Sequence, residues 1–462
     1  MVFPLSEFTA WFESNEEKIQ EDFFRFLRFR SISTDASYKE ECLKAADFLS
    51  SFLKERGMTV DLLKSSGLPV VFAESQNAAI DNPSVLIYHH YDVQPVDPID
   101  LWHSDPFSPR LSEGKIFARG ASDNKGQCFI TLTAISALHA LAKDLPLHIK
   151  VFIEGEEESG GSGTGEVILA RKDLLKADSL CVIDFDLPAA DTPGIVGGYR
   201  GLAAVEIECS NSKGDLHSGT HGGVALNPNR ILSQVLAGLW DEKGRVTIPH
   251  FYDKVESLRE EERAKIDFSF DEELYKREFE IGALCKEEGF GSQESRWIRP
   301  TVEINGIWGG YTGPGFKTVI PAVAQAKLSC RLVSNQDPKE IEGYLQEFLE
   351  KNTPKGAEIK MKWHHGAKGY KVGLSSPLTQ IVIESMEAVF QKPCRNTLCG
   401  GSIPIVRELA EAVDGDVALF GFALASDNIH APNEHFRWDS FKKGFITVAR
   451  VLWELSQKKK EC

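Results

Sequence analysis

Five segments of this sequence carry side chains able to hold divalent cations and to move a proton. They read YHHYDVQP, RGASDNKG, EGEEESGG, VIDFD and SDNIHAPNEH, and they supply His90, Asp123, Glu158, Asp184 and His430. Imidazole nitrogens combined with carboxylate oxygens suit zinc, with manganese or cobalt as alternatives. A pair of such ions makes a hydrolytic centre. In VLIYHHYDVQP, strand alternation puts His90 and Asp92 on one side, so Asp92 is placed to take the second ring N–H of a ligating His90. Alone, this His-x-Asp would read as a structural pair. Asp123 sits in a turn before a helix. Such aspartates usually cap the helix, but a carboxylate there also suits bridging of two cations.

Glu156, Glu157 and Glu158 repel one another unless cations or water neutralise them. At the mouth of a buried strand, beside paired glycines, cations are the better reading. One glutamate would ligate and a neighbour would act as general base, but spacing does not say which. Asp184 and Asp186 share one side of a strand end. Of His430 and His435, with Asp427 and Glu434 close by, His430 lies in a polar loop beside Pro432 and is the better candidate. GDLHSGTHGG surrounds His217 and His221 with glycine and small polar residues, a setting for oxyanion stabilisation or for a plain turn. Thr318, Arg331, His364, His365 and Ser402 are further polar candidates, each structural if taken by itself.

These segments need a scaffold. Val70–Ala73, Val85–Tyr88, Leu147–Ile153 and Leu180–Ile183 are short continuous apolar runs, the pattern of strands buried on both faces of a largely parallel sheet. Helical spacing covers Ser37–Arg56 and Gly126–Ala142. This is an α/β layout, with a site expected at the carboxyl ends of the strands. After Arg200-Gly201 the order becomes strand Leu202–Cys209, helix Asn227–Trp240, strand Pro300–Ile304, strand Ala324–Val333, helix Pro338–Lys351 and strand Ile359–His364. That is the ferredoxin-like arrangement, interrupted by a charged stretch over Lys254–Glu288. Helices Pro377–Phe390, Ile403–Ala412 and Ser440–Ser456 and strand Val417–Phe420 resume the first style. The domains expected are therefore 1–205 and 377–462, catalytic, with an inserted α+β domain at 206–376.

With 462 residues, 42% hydrophobic and 26% charged, the composition is that of a globular protein with sizeable cores. A net charge of −16 argues against nucleic acid as a partner. No apolar run approaches a bilayer span, and the acidic N-terminal residues do not read as a signal peptide, so a cytoplasmic address is expected. The nine cysteines form no CxxC pair and are expected to be reduced. The basic tail Lys458–Lys460 is expected to fray.

Taken in order, HYDVQP at His90–Pro95, RGASDNKG at Arg119–Gly126, EGEEESGG at Glu154–Gly161, Asp184 ahead of YRG, GDLHSG at Gly214–Gly219, GGSIP at Gly400–Pro404 and NIHAPNE at Asn428–Glu434 resemble the M20 metallopeptidase family. Within it they sit with the dipeptidase branch that includes carnosinase-like cytosolic dipeptidases. The resemblance implies a zinc-peptidase-like catalytic domain, a lid and dimerisation domain, and a homodimer. It implies that Asp123 bridges two zinc-like ions, with His90 and Asp184 at one and Glu158 and His430 at the other. Asp92 would orient His90, and Glu157 would be the general base for a bridging water. His217 would reach the active site of a partner subunit, while Thr318, Arg331 and Ser402 would contact substrate. The substrate implied is a dipeptide. The alternatives are an acylated amino acid, cleaved by a deacylase or desuccinylase of the same fold, or a metal-free peptide-binding or assembly role. Many relatives carry Arg-Glu ahead of GGSIP where this chain has Leu398-Cys399.

Overall fold

Continuous apolar runs lie side by side as parallel strands at the centre of a sheet. In spatial order these strands are His148–Glu154, Ser84–His90, Ser179–Ile183 and Asp416–Phe420. Val85, Leu86, Ile87 and Tyr88 of the second strand are each at most 1% exposed. Both faces are covered, which is why the runs do not alternate. These features come from a computed structural model that describes residues 2–76, 79, 81–403 and 405–458. Of the basic tail Lys458–Lys460, Lys459 and Lys460 lie outside the described residues, as does Cys462.

Beyond the centre the sheet is mixed. Val70–Ser75 runs antiparallel to His148–Glu154, Met58–Leu63 antiparallel to Val70–Ser75, and Gly194–Tyr199 antiparallel to Asp416–Phe420. Only residues 64–69 link Met58–Leu63 to Val70–Ser75. A link that short makes a hairpin and cannot make the crossover that a parallel pair requires. Helices Leu5–Leu27, Lys125–Leu141, Pro377–Phe390 and Trp438–Ser456 share the main apolar core with this sheet. The first of them is hidden in the sequence by its acidic residues, yet it buries Phe8, Phe12, Ile19, Phe23, Phe26 and Leu27 along one stripe. Phe23 stacks on Phe129 of Lys125–Leu141 with ring centroids 5.3 Å apart.

The chain divides into two compact units: Met1–Gly197 with Val372–Thr397 and Ile405–Cys462, and Gly198–Lys371 with Leu398–Pro404. The first unit is the α/β one. The second holds a four-stranded antiparallel sheet in the order Thr301–Gly309, Val323–Leu332, Gly201–Ser210, Glu358–Ala367. With helices Pro228–Ala237 and Pro338–Asn352 this is the ferredoxin-like βαββαβ arrangement. Strand Gly201–Ser210 alternates buried and half-buried residues, turning Val205 and Ile207 to a core shared with Ile231, Val235, Leu345 and Leu349 of the helices. Both helices start by one device: Asn227 accepts from Asn229 N and Asp337 from Lys339 N, each followed by proline at the first helical position. Between helix and sheet, Lys254–Glu288 forms only the short helices Glu260–Arg263 and Glu272–Glu278. None of the eight described cysteines is in a disulfide. No helix among the described residues is long and apolar enough to cross a membrane.

Candidate metal centre

Three adjacent parallel strands end within a residue or a short turn of the acidic and imidazole segments. Ser84–His90 terminates on His90, Ser179–Ile183 is followed by Asp184, and His148–Glu154 leads into the turn Glu157–Ser159. Gly160 and Gly161 take φ of 102° and 64° there, left-handed values that double the chain back at little cost for glycine. Asp123 precedes helix Lys125–Leu141. It is not the helix cap: Asn124 occupies that position without a side-chain cap bond, and the Asp123 carboxylate points elsewhere.

Its two oxygens meet two histidines from opposite ends of the sequence. His90 Nε2 is 3.1 Å from Asp123 Oδ1, and His430 Nε2 is 2.9 Å from Asp123 Oδ2. His90 Nε2 also lies 3.8 Å from Asp184 Oδ1, and His430 Nε2 lies 3.2 Å from Glu158 Oε1. Two groups thus share one residue, His90–Asp123–Asp184 and Asp123–Glu158–His430, with the ligand atoms of each group within 4.8 Å of one another. The side chain of His90 is 1% exposed and that of His430 is 51% exposed, so the cluster runs from a buried floor to an open rim.

Neighbours hold these groups in place. Asp92 lies behind His90, its Oδ1 at 3.3 Å from Nδ1, and its Oδ2 accepts from Ser33 Oγ at 2.6 Å and from Glu158 N at 3.0 Å. Gln94 Nε2 donates to Glu158 Oε2 at 2.8 Å. Asn124 Nδ2 donates to Asp184 Oδ1, while its Oδ1 lies 2.8 Å from His89 Nδ1. Gln94 and Asn124 lie inside the motifs HYDVQP and RGASDNKG without having been assigned a role, and Ser33 carried no sequence signal, being an ordinary polar residue whose partner is remote in the chain. The three glutamates separate. Glu156 packs its carboxylate against Gly67 and Gly163, where an added Cβ would come within 1.9 Å and 2.4 Å of it. Glu158 faces His430, and Glu157 feels the charges of His90, Glu158, Asp184 and Asp123.

The electrostatics of the cluster are those of acids and imidazoles crowded together. Burial, then the neighbouring carboxylates, push Glu157 and Asp184 well above the ordinary carboxylate range, and Glu158 upward too. Burial opposes charge on His90, yet Asp184, Asp123 and Asp92 together raise its pKa. Burial likewise opposes charge on His430, and Asp123 and Glu158 raise it. Asp123, despite burial, is held low by hydrogen bonds from His430 and His90. Buried like charges of this kind are stabilised by bound divalent cations, and the donor set fits them.

The other candidates have these surroundings within their own units. Asp186 is exposed. His435 packs on Phe117 with ring centroids 5.1 Å apart, and its Nε2 lies 3.8 Å from Asp427 Oδ1. His364 pairs with Glu206 at 3.1 Å. Within the second unit, Arg331 Nη1 donates to Ser402 Oγ at 2.9 Å. His217 sits on a two-stranded ribbon with Val319, and its Nδ1 accepts from Gly219 N at 3.0 Å, which leaves Nε2 as the donor. Exposed Thr318 accepts from Ser218 N through its backbone oxygen at 3.0 Å.

Comparison with known proteins follows the same line. The profile of Peptidase family M20/M25/M40 matches residues 86–454. A Cys-Gly metallodipeptidase of Candida albicans is 30% identical over 487 residues, covering 97% of each chain. The crystal structure of human carnosine dipeptidase 1 superposes with a TM-score of 0.87 at 26% identity, covering 99% of this chain and 100% of that one. The M20 metallo-carboxypeptidase Sso-CP2 of Sulfolobus solfataricus gives 0.86 at 33% identity, covering 95% and 99%. With two candidate ligand groups sharing Asp123 and this match across most of its length, the chain belongs to the M20/M25/M40 peptidases and is a metallopeptidase, a hydrolase of peptide bonds.

Proposed function

We propose that this metallopeptidase cleaves dipeptides at the bond beside a free carboxylate, using two divalent cations, zinc first among them. The observation that carries the reading is the division of Asp123, one oxygen toward His90 and the other toward His430. His90 and Asp184 would hold one cation, Glu158 and His430 the other, with Asp123 between them. Bound there, the cations supply Lewis acidity and make an attacking water easier to deprotonate. Glu157 takes that water's proton, suited to the role by burial that raises its basicity. It then passes the proton to the leaving amine. Asp92 keeps the His90 ring oriented. Arg331, Ser402 and Thr318 take the substrate's carboxylate or backbone, the first two already joined by a hydrogen bond.

His217 of a second copy of the chain donates to the developing oxyanion in this reading. A homodimer through the inserted unit is supported by the edge strand Thr301–Gly309, whose Ile304, Ile307 and Trp308 are exposed. Relatives named as a Cys-Gly metallodipeptidase, a carnosine dipeptidase and a metallo-carboxypeptidase support a substrate with a free carboxylate. The test is a panel of dipeptides, tripeptides and N-acyl amino acids assayed with zinc, manganese and cobalt. Preferred turnover of dipeptides is expected. Turnover of N-acyl amino acids alone would replace dipeptidase with deacylase, and no turnover of any of them would sink the proposal.

A further inference from the structure

The segment that carries His430 also carries two acids that the chemistry above does not use. Glu434 is 1% exposed, and every polar contact of its carboxylate is with a donor. Oε2 accepts from Arg119 Nη1 at 2.8 Å and from Gly120 N at 2.8 Å. Oε1 accepts from Ser122 N at 2.9 Å and from Asp123 N at 3.1 Å. Arg119 is itself anchored, its Nη2 donating to Pro95 O at 2.9 Å. On the other side of His430, Asp427 accepts from Ser122 Oγ at 3.0 Å. The turn Arg119–Asp123 is therefore gripped from both ends of the His430 segment. Between the two acids the backbone takes positive φ at Asn428, His430 and Asn433, 57°, 60° and 64°, a conformation that a histidine adopts only when its surroundings impose it.

We propose that Glu434 is a positioning residue of the metal centre, fixing the Asp123 turn against the His430 segment so that both Asp123 oxygens face their histidines. The proposal rests on the metal-centre reading of Asp123. Four donors converge on two oxygens, so the group must be a carboxylate. A glutamine, whichever way its amide turns, sets an N–H against two donors and leaves buried donors unpaired.

The test compares wild type, Glu434→Gln and Glu434→Asp by chelator competition with Zn2+ and Co2+ and by the visible spectrum of the cobalt form. Glu434→Gln is expected to bind both cations about 10–100-fold more weakly, as for other residues that orient ligands, with an altered cobalt spectrum. Glu434→Asp, which keeps the charge, recovers part of both. A folded Glu434→Gln protein with wild-type affinity and spectrum overturns the role. Amide exchange on the wild-type protein gives a reading that does not depend on a variant folding: protection at Gly120, Ser122 and Asp123 is expected, and rapid exchange there overturns the grip. A wild-type protein that binds no divalent cation overturns the metal reading and this proposal together, whereas equal binding by wild type and Glu434→Gln defeats only the latter.

Discussion

Asp123 and Glu157 illustrate how one residue type performs opposite tasks under different neighbours. Hydrogen bonds from two imidazoles hold the Asp123 pKa low, while desolvation and neighbouring carboxylates push that of half-buried Glu157 up. Glu157→Gln should therefore lose about 10²–10⁴-fold in kcat, the contribution of a general base, while retaining its metal. Metal analysis alongside steady-state kinetics checks both halves, and a metal-loaded variant with normal turnover would contradict the assignment. Asp123→Asn should weaken both cations together rather than one, because the residue is common to both groups. Stoichiometry after gel filtration distinguishes the two outcomes. At this scale the sequence displayed residue types and their proximity to strand ends. Spacing did not separate Glu156 from its neighbours, which only the resemblance did, since which way Glu156 turns depends on room made by Gly163 and by Gly67, the latter remote in the chain.

Elements differ in how openly their patterns show. Helix Pro377–Phe390 was bounded as expected, having a serine cap, proline at its start and a dense apolar face. Helix Leu5–Leu27 was not anticipated, because its buried residues recur at helical spacing amid many acids and no cap marks its start. Its aromatic stripe nonetheless belongs to the main core. Phe23→Ala should cost about 3–5 kcal/mol by loss of a fully buried ring. Denaturant unfolding measures this, and a loss under about 1 kcal/mol would show the helix to be dispensable. The antiparallel flanks of the sheet escaped notice for a different reason: strand direction is set by connection length and pairing, which local hydrophobicity does not encode.

For the whole molecule, cation binding and proton binding compete. His90 and His430 have raised pKa values, as do Glu157, Glu158 and Asp184. Ligands must be deprotonated to coordinate, so loading should release protons and apparent affinity should rise with pH through neutrality and fall on acidification. Calorimetric titration in buffers of different ionisation heat measures the release, and an affinity independent of pH would refute it. Sharing of His217 between copies has its own check: subunits bearing His217→Ala mixed with subunits bearing Glu157→Gln should regain activity, and a mixture as inactive as its parts would argue against sharing. The sequence alone determined the α/β class, the ferredoxin-like insertion and the residue types of a metallopeptidase, because burial periodicity and short motifs are local properties of the chain. Tertiary structure alone decided which oxygen of Asp123 meets which histidine, that Asn124 and Ser33 steady the acids around them, and that Glu434 closes on the Asp123 turn. Those contacts join residues up to 315 positions apart, and no local pattern encodes a pairing whose partners meet only after the strands have assembled.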